Sequence, residues 1–542
     1  MPYDGLACRA YSAAAQIQAR RGSRPFVVIV LPTGLEFVAS FFGSLAAGAT
    51  PSPIAPPTIL DDLSVYAQHL AGLLRVARPG LIVTNSDFRS IVAKAARSAG
   101  VGAEVHELRL EGAAAIQQTE ARAELALLQF TSGSTGRPRG ARISFANLQS
   151  NIAMLQEWQN VGPQTAVASW LPLHHDMGLI GCMLMPIVSQ VDCWIMPPDE
   201  FVRNPVRWLE CFGTGRATLT ASPTFGLAYV NKRVSDDQLQ GLDFGSWEGA
   251  VIGAERIDAG VMRRFAERLR AHGANTSVLV PAYGLAEATL AVTGVPVGAI
   301  PTAARPDWST FRFGHPVVAR ARAPIHDAAP VGDGVGWIVS SGRPLEGVNV
   351  SIVADGEDLP SGHLGEIVVQ GPSIFQGYEA DVGVIGPEAT EALHTGDAGF
   401  LLDDELFVAG RIGDGVTVRG RNLYAEDLEA HMARVPGLSR GRYAVVAGRE
   451  EHGDALVAIA EREPGDWAAS AVDALAAHVG DGIAIRVLSV AAHTIARTSS
   501  GKPRRRVIWQ QLIEGSLGGE VVARRDPFGS PVNYEPLDAR PR

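Results

Sequence analysis

Lysine is nearly missing from this chain of 542 residues: of 47 basic residues only Lys94, Lys232 and Lys502 are lysine, and arginine fills the rest. A lysine inside a motif is therefore informative. Cysteine is scarce too. The four present, Cys8, Cys182, Cys193 and Cys211, make no C-x-x-C pair. With no basic-then-apolar leader across residues 1–16, this points to a reducing, cytoplasmic setting. Long apolar runs are absent. Stretches such as Phe26 to Leu31 fall far short of the roughly 18 residues that span a bilayer, so membrane contact is at most peripheral. Excess positive charge is also lacking: the net charge is −10, leaving no electrostatic footprint for nucleic acid, and the run Arg504 to Arg506 reads as a local patch.

What remains is ordinary globular composition, 46% hydrophobic and 19% charged, in a chain long enough for two or more domains. Strand and helix signals alternate. Phe26 to Leu31 reads as a buried strand; after Pro32-Thr33-Gly34, the residues Leu35, Val38, Phe42 and Leu45 fall at helical spacing, with Gly48 placed to end the helix. Leu81 to Thr84, Leu125 to Phe130, Val167 to Leu171, Ala250 to Gly253 and Val278 to Pro281 repeat the strand signal between helix-like stretches. The expected class is α/β with largely parallel sheets. From Trp337 to Val369 the pattern is β-rich, and beyond residue 414 a compact α+β unit is expected. The expected division is 1–413, 414–515 and a flexible tail over 516–542, rich in Gly, Pro and charge.

The stretch "FTSGSTGRPRG", Phe130 to Gly140, is suited to an anion: small residues let backbone N–H groups approach, hydroxyls add donors, and Arg137 and Arg139 add positive charge. It is not a Walker A loop, because Pro138 stands where lysine is needed. Nor is it a nucleophile elbow, because Ser132 rather than glycine precedes Ser134 by two. On composition alone a flexible Ser/Gly turn is the favoured reading, and other segments must decide.

Six further segments follow in order: "WLPLHHDMGLIG" (Trp170 to Gly181), "GAE" (Gly253 to Glu255), "YGLAEATL" (Tyr283 to Leu290), "HTGDAGF" (His394 to Phe400), "GRIGDGVTVRGRNLYAEDLE" (Gly410 to Glu429) and "RTSSGKPRRR" (Arg497 to Arg506). Together they resemble the adenylate-forming enzymes, and among these a fatty acyl-AMP ligase. The resemblance spans about residues 26 to 510. It implies a large N-terminal domain of two α/β subdomains and a small β-barrel, with a mobile C-terminal domain. It also implies a reaction: a carboxylate attacks the α-phosphate of ATP, giving acyl-AMP and pyrophosphate, and the acyl group then passes to a thiol.

Roles follow by resemblance. Thr131, Ser132, Gly133, Ser134, Thr135 and Gly136 form the loop holding the β- and γ-phosphates, with Arg139 where the family usually has lysine. Glu287, with Thr135, is the Mg²⁺ position; Tyr283 stacks on adenine, beside Gly284, Leu285 and Ala286; Gly253, Ala254 and Glu255 line the base. Asp397 accepts from the ribose hydroxyls, and Arg411 is a second ribose and phosphate contact. His175 lies by the acyl pocket, near Met177, Leu179 and Ile180, which serve as tunnel wall or as core. A strand would turn the neighbours His174 and His175 to opposite faces, which disfavours both ligating one metal. Lys502 is the catalytic cation, bridging the carboxylate and the α-phosphate, and the scarcity of lysine strengthens that assignment. Asp414 is the hinge, preceded by Gly413 where the family has lysine; Ala425 replaces a family proline. A strand-rich stretch that usually precedes the part matching Leu6 to Arg21 is not in this sequence.

The expected cofactors are ATP and Mg²⁺, and the expected acid is a fatty acid. About fifty residues separate "YGLAEATL" from Ser340 to Pro344, more than in acyl-CoA ligases of the family and resembling the insert that restrains the C-terminal domain in acyl-AMP ligases. The favoured acceptor is therefore an acyl carrier protein, or a carrier domain of a polyketide or nonribosomal peptide system, with acyl-CoA formation as the alternative. Amino-acid adenylation lacks its pocket aspartate, and a non-catalytic nucleotide-binding scaffold is opposed by the intact Lys502, Glu287, Asp397 and Arg411. A monomer or weak dimer is expected.

Overall fold

The computed structural model describes residues 1–58, 63–110, 123–131, 138–326, 328–332, 334–380, 383–386, 392–413, 415–418, 421–450, 453–480, 483–497 and 501–526. Phe26–Val30 is buried at every position, as a parallel strand covered on both faces must be. It lies in a parallel four-stranded sheet ordered Thr50–Pro53, Phe26–Val30, Leu81–Thr84, Glu104–His106. The helix Leu35–Ala46 follows as its spacing predicts, and Gly48 ends it at φ 68°.

A second sheet of seven strands runs Arg343–Pro344, Ala291–Gly294, Leu279–Gly284, Gly249–Ile252, Leu219–Ser222, Ala166–Ser169, Asp192–Ile195, parallel except where Ala291–Gly294 meets its two neighbours. Against it packs a cluster of rings: Phe212 stacks on Trp247 at 4.0 Å, and Trp208 meets both edge-on. Each such pair adds roughly 0.5–1.5 kcal/mol beyond the area it buries. Leu125 to Phe130 departs from the expected parallel unit. The strand Leu127–Thr131 turns back into an antiparallel neighbour, Arg139–Ile143, with Thr131 opposite Arg139.

The β-rich section is an antiparallel sheet ordered Glu357–Asp358, Asn349–Ala354, Gly365–Gln370, Leu393–Leu402, Glu405–Arg411, beside a three-stranded sheet of Ala319–Pro324, Thr302–Pro306 and Ile338–Val339. The C-terminal part is built on Tyr443–Glu450, Gly453–Ala460, Ala484–Ser489 and Glu520–Arg525. Alternation divides its core in two: Val445, Leu456 and Ala458 face the helices Ala425–Met432 and Trp467–Val479, while Ala444, Val446, Val457 and Ile459 face Arg505–Ile513. Glu520–Arg525 corrects the expected tail. Its Ala523 is a core residue of one face, Val521 packs half-buried against the other, and the strand pairs antiparallel with Ala484–Ser489. Composition averaged over glycine and charge hid those three consecutive apolar residues.

Candidate active site

The phosphate-loop candidate is carried on a hairpin. Thr131 ends one strand and Arg139 begins the next, so both ends of the intervening segment are held. Ser132, Gly133, Ser134, Thr135 and Gly136 lie outside the described residues, as does Asp414. The strand Tyr378–Ala380 adds to the hairpin, Tyr378 opposite Ala141, and this seats the Arg139 guanidinium 5.5 Å from the centre of the Tyr378 ring.

The same tyrosine reaches Glu287. Its Oη donates to Glu287 Oε1 at 2.7 Å, while Phe375 N donates to the Glu287 carbonyl at 2.9 Å. Two residues on, Thr289 sits at φ 68°, a conformation a β-branched residue rarely adopts, and its Oγ1 donates to Ser373 O at 2.6 Å. The segment 373–378 thus grips the Glu287 turn at three points. Burial raises the Glu287 carboxyl above its usual range, the Tyr378 hydroxyl and the charge of Arg411 lower it, and Asp176 raises it. Among the described residues no three carboxylate, histidine or cysteine side chains gather into a metal cage. One half-buried carboxylate is the donor set of a Mg²⁺ ion shared with substrate phosphates, so the residues fit that ion and not a protein-enclosed one.

Asp397 and Arg411 face each other across the sheet, and Arg411 Nη1 donates to Asp397 Oδ1 at 2.8 Å. Tyr283 Oη donates to Asp397 Oδ2 at 2.6 Å. Burial, then the Asp397 charge, holds the Tyr283 phenol well above its usual range, so it remains a donor. Gly284 is needed where the chain tightens: a Cβ there would stand 1.9 Å from the Leu290 carbonyl oxygen. Leu285 N returns a bond to that oxygen, and Ala286 begins the short turn holding Glu287. Gly253 ends buried beside Ala282, Ala254 turns the chain at φ 66°, and Glu255 Oε1 accepts from Phe225 N at 2.7 Å.

His174 and His175 lie in a turn, which corrects the strand expectation; their rings are 4.8 Å apart, tilted 50°. Burial, then the neighbouring His175, pushes the His174 imidazole well below its usual range, so it is neutral. Asp176 caps the next segment through Met177 N, and Met177–Leu184 winds as a π-helix, a form that recurs at functional sites. Gly178 is the residue this winding requires, since a Cβ would stand 2.4 Å from the Pro172 carbonyl oxygen. Met177, Leu179 and Ile180 belong to the main core cluster. The influence of Asp176 on Glu287 places the His174–Asp176 turn near the metal-binding candidate.

Lys502 is exposed on the C-terminal part, yet its charge reaches Glu255. Burial raises the Glu255 carboxyl, and the Phe225 N–H, Lys502 and Arg440 pull it down. Residues as far apart along the chain as Phe225 and Lys502 therefore act on one carboxylate. Tyr378 and Phe225 carry no motif signal, and Thr289, though inside "YGLAEATL", has no role given by it; sequence reading misses all three because their contacts come from distant segments brought together by the fold.

A pattern for AMP-binding enzymes matches residues 1–379, and the chain belongs to that family. It is an adenylate-forming enzyme. Its likeness within the class is to fatty acyl-AMP ligases. It is 34% identical over 469 residues to long-chain-fatty-acid–AMP ligase FadD26 of Mycobacterium tuberculosis, covering 80% of this chain and 76% of that protein. It is 32% identical over 480 residues to 4-hydroxyphenylalkanoate adenylyltransferase of the same organism, covering 82% and 73%. A solved fatty acyl-adenylate ligase, from work on the E. coli and L. pneumophila enzymes, superposes with a TM-score of 0.83 at 27% identity, covering 96% of this chain and 94% of that one. The L. pneumophila enzyme holding acyl adenylate and pyrophosphate gives 0.67 at 29%, covering 95% and 91%. The expected architecture is borne out. No helix among the described residues is long and apolar enough to cross a membrane.

Proposed function

We propose that the chain uses ATP to convert a fatty acid to acyl-AMP, releasing pyrophosphate, and passes the acyl group to the phosphopantetheine thiol of an acyl carrier protein or carrier domain. The observation that carries the reading is Asp397: a half-buried carboxylate that already orders Tyr283 and Arg411 and retains lone pairs for two ribose hydroxyls. Relatives named for acyl-AMP formation support the acid and the first step.

In this reading Tyr283, near the end of the strand Leu279–Gly284, stacks on adenine, with Gly253 to Glu255 lining the base. Thr131 and Arg139 flank the loop holding the β- and γ-phosphates, and Arg411 neutralises charge near the ribose and α-phosphate. Glu287 holds Mg²⁺, which when bound offsets phosphate charge during in-line displacement. His175 borders the acyl entrance. Lys502, carried by the part after residue 413, meets the oxygens gaining charge as the carboxylate attacks phosphorus. Rotation about Asp414 then removes Lys502 and admits the thiol.

The acceptor rests on the insert. Trp308, within the extra residues before Ser340, packs edge-on against His478 of the C-terminal part at 5.7 Å, and His478 lies 4.2 Å from His431. A restrained C-terminal part disfavours free coenzyme A and favours a thiol delivered by a protein. Preformed acyl-AMP offered separately to coenzyme A and to holo carrier protein tests this, with transfer expected only to the carrier. Efficient acyl-CoA formation overturns the acceptor assignment.

A further inference from the structure

The five residues from Ala254 to Asp258 do more than border the nucleotide. Glu255 points to the Phe225 amide and senses Lys502, while the two charged residues just beyond it both reach the C-terminal part. Arg256 Nη1 pairs with Asp427 Oδ1, and Asp258 Oδ2 accepts from Arg440 Nη2. The Asp427 side chain is 3% exposed and that of Arg256 17%, so the first pair is buried between the two parts.

We infer that Arg256 is a positioning residue for acyl-AMP formation: through Asp427 it docks the C-terminal part on the nucleotide-lining segment, with Lys502 facing the reaction. The inference rests on the adenylation reading above. Its physical basis is the balance sheet of a buried ion pair. Desolvation nearly cancels the attraction, so two such charges hold about as well as an apolar pair of equal volume, or less well. Separation returns both to water. Among the described residues the buried Asp427 Oδ2 has no hydrogen-bond partner, which lowers the cost of release further. Such a contact specifies one arrangement without trapping it, as an enzyme that must leave that arrangement after the first step requires. Arg440 assists at the rim. Asp258 is a poorer probe because its Oδ1 also caps the helix Ala259–Arg270, accepting from Val261 N at 2.8 Å.

The test separates the half-reactions. Arg256→Ala leaves Asp427 without its cation, and fatty-acid-dependent pyrophosphate exchange into ATP should fall about tenfold or more. Transfer from supplied acyl-AMP to the thiol should stay within about twofold, since that step uses the undocked arrangement. The double variant Arg256→Met with Asp427→Met replaces the pair by an apolar contact; it should restore exchange and slow transfer. Backbone hydrogen exchange of residues 425–432 reports docking without activity and should quicken in Arg256→Ala. Equal loss of both half-reactions, or unchanged exchange at 425–432, overturns the inference. Absence of acyl-AMP from every fatty acid in the parent, with 425–432 still responding to Arg256→Ala, overturns the proposed function and leaves the docking role standing.

Discussion

Replacing Asp397 with asparagine tests the nucleotide site at one atom. In the parent, Oδ1 accepts from Arg411 at 2.8 Å and Oδ2 accepts from Tyr283 at 2.6 Å. Asparagine keeps the shape and one acceptor oxygen; its amide nitrogen takes the other position as a donor. With the oxygen turned to Arg411, the amide faces Tyr283, whose hydroxyl then rotates and accepts. The fold loses charge assistance but no buried group is orphaned, so the stability cost should be about 1 kcal/mol. ATP fares worse. Two ribose hydroxyls now find one acceptor, and a hydrogen bond to a charged group contributes roughly 1.5–3 kcal/mol. At about 1.4 kcal/mol per factor of ten, KM for ATP should rise roughly ten- to hundredfold. The ribose does not change during the reaction, so kcat should move much less. Pyrophosphate exchange measured against ATP concentration, with thermal unfolding as the control, reads both quantities. A KM within about twofold of the parent, or a fallen kcat at constant KM, would refute the role given to Asp397.

Other sites give independent checks. Lys502→Ala should slow acyl-AMP formation roughly 10²-fold or more, and a variant forming acyl-AMP at the parent rate would show that the cation lies elsewhere. Tyr378→Phe removes only the hydroxyl that fixes Glu287 Oε1; calorimetric binding of Mn²⁺·ATP should weaken about tenfold, and unchanged binding would make that hydrogen bond incidental. Burial lifts the Asp427 carboxyl to about 6 from an ordinary 3.8, with Arg256 opposing and Glu426 reinforcing the rise. The folded protein therefore binds a proton there, between those values, that the unfolded chain does not. This residue's contribution to stability should grow as pH falls through about 6 and be complete below about 3.8. The unfolding midpoint of the parent minus that of Asp427→Asn should rise between about pH 7 and 4.5, and a flat difference would contradict this.

Local patterns made much of the molecule legible. Phe26 to Leu31 and the helical spacing after it predict their βα unit correctly, because a strand buried on both faces and a helix buried on one leave different periodicities. Pairing partners leave no such trace. Leu125 to Phe130 has the composition of a parallel core strand, yet it closes an antiparallel hairpin with Arg139–Ile143. His174 and His175 sit among apolar residues that read as a strand, while the close Pro172 contact at Gly178 marks a π-wound segment. Val521 to Ala523 disappear in a tail dominated by glycine and charge, although three apolar residues suffice to join an edge.

By itself the sequence determined the α/β class, the family and the residue types at each motif, since these depend on local spacing and on which chemistry a position carries. The scarcity of lysine even singled out Lys502. Tertiary structure alone decided that Tyr378 would steady Glu287, that Tyr283 would close on Asp397, and that Arg256 would meet Asp427. Those contacts join segments far apart along the chain. Their energies arise only once folding has removed water and set donor against acceptor, and no periodicity records which partner each side chain will find.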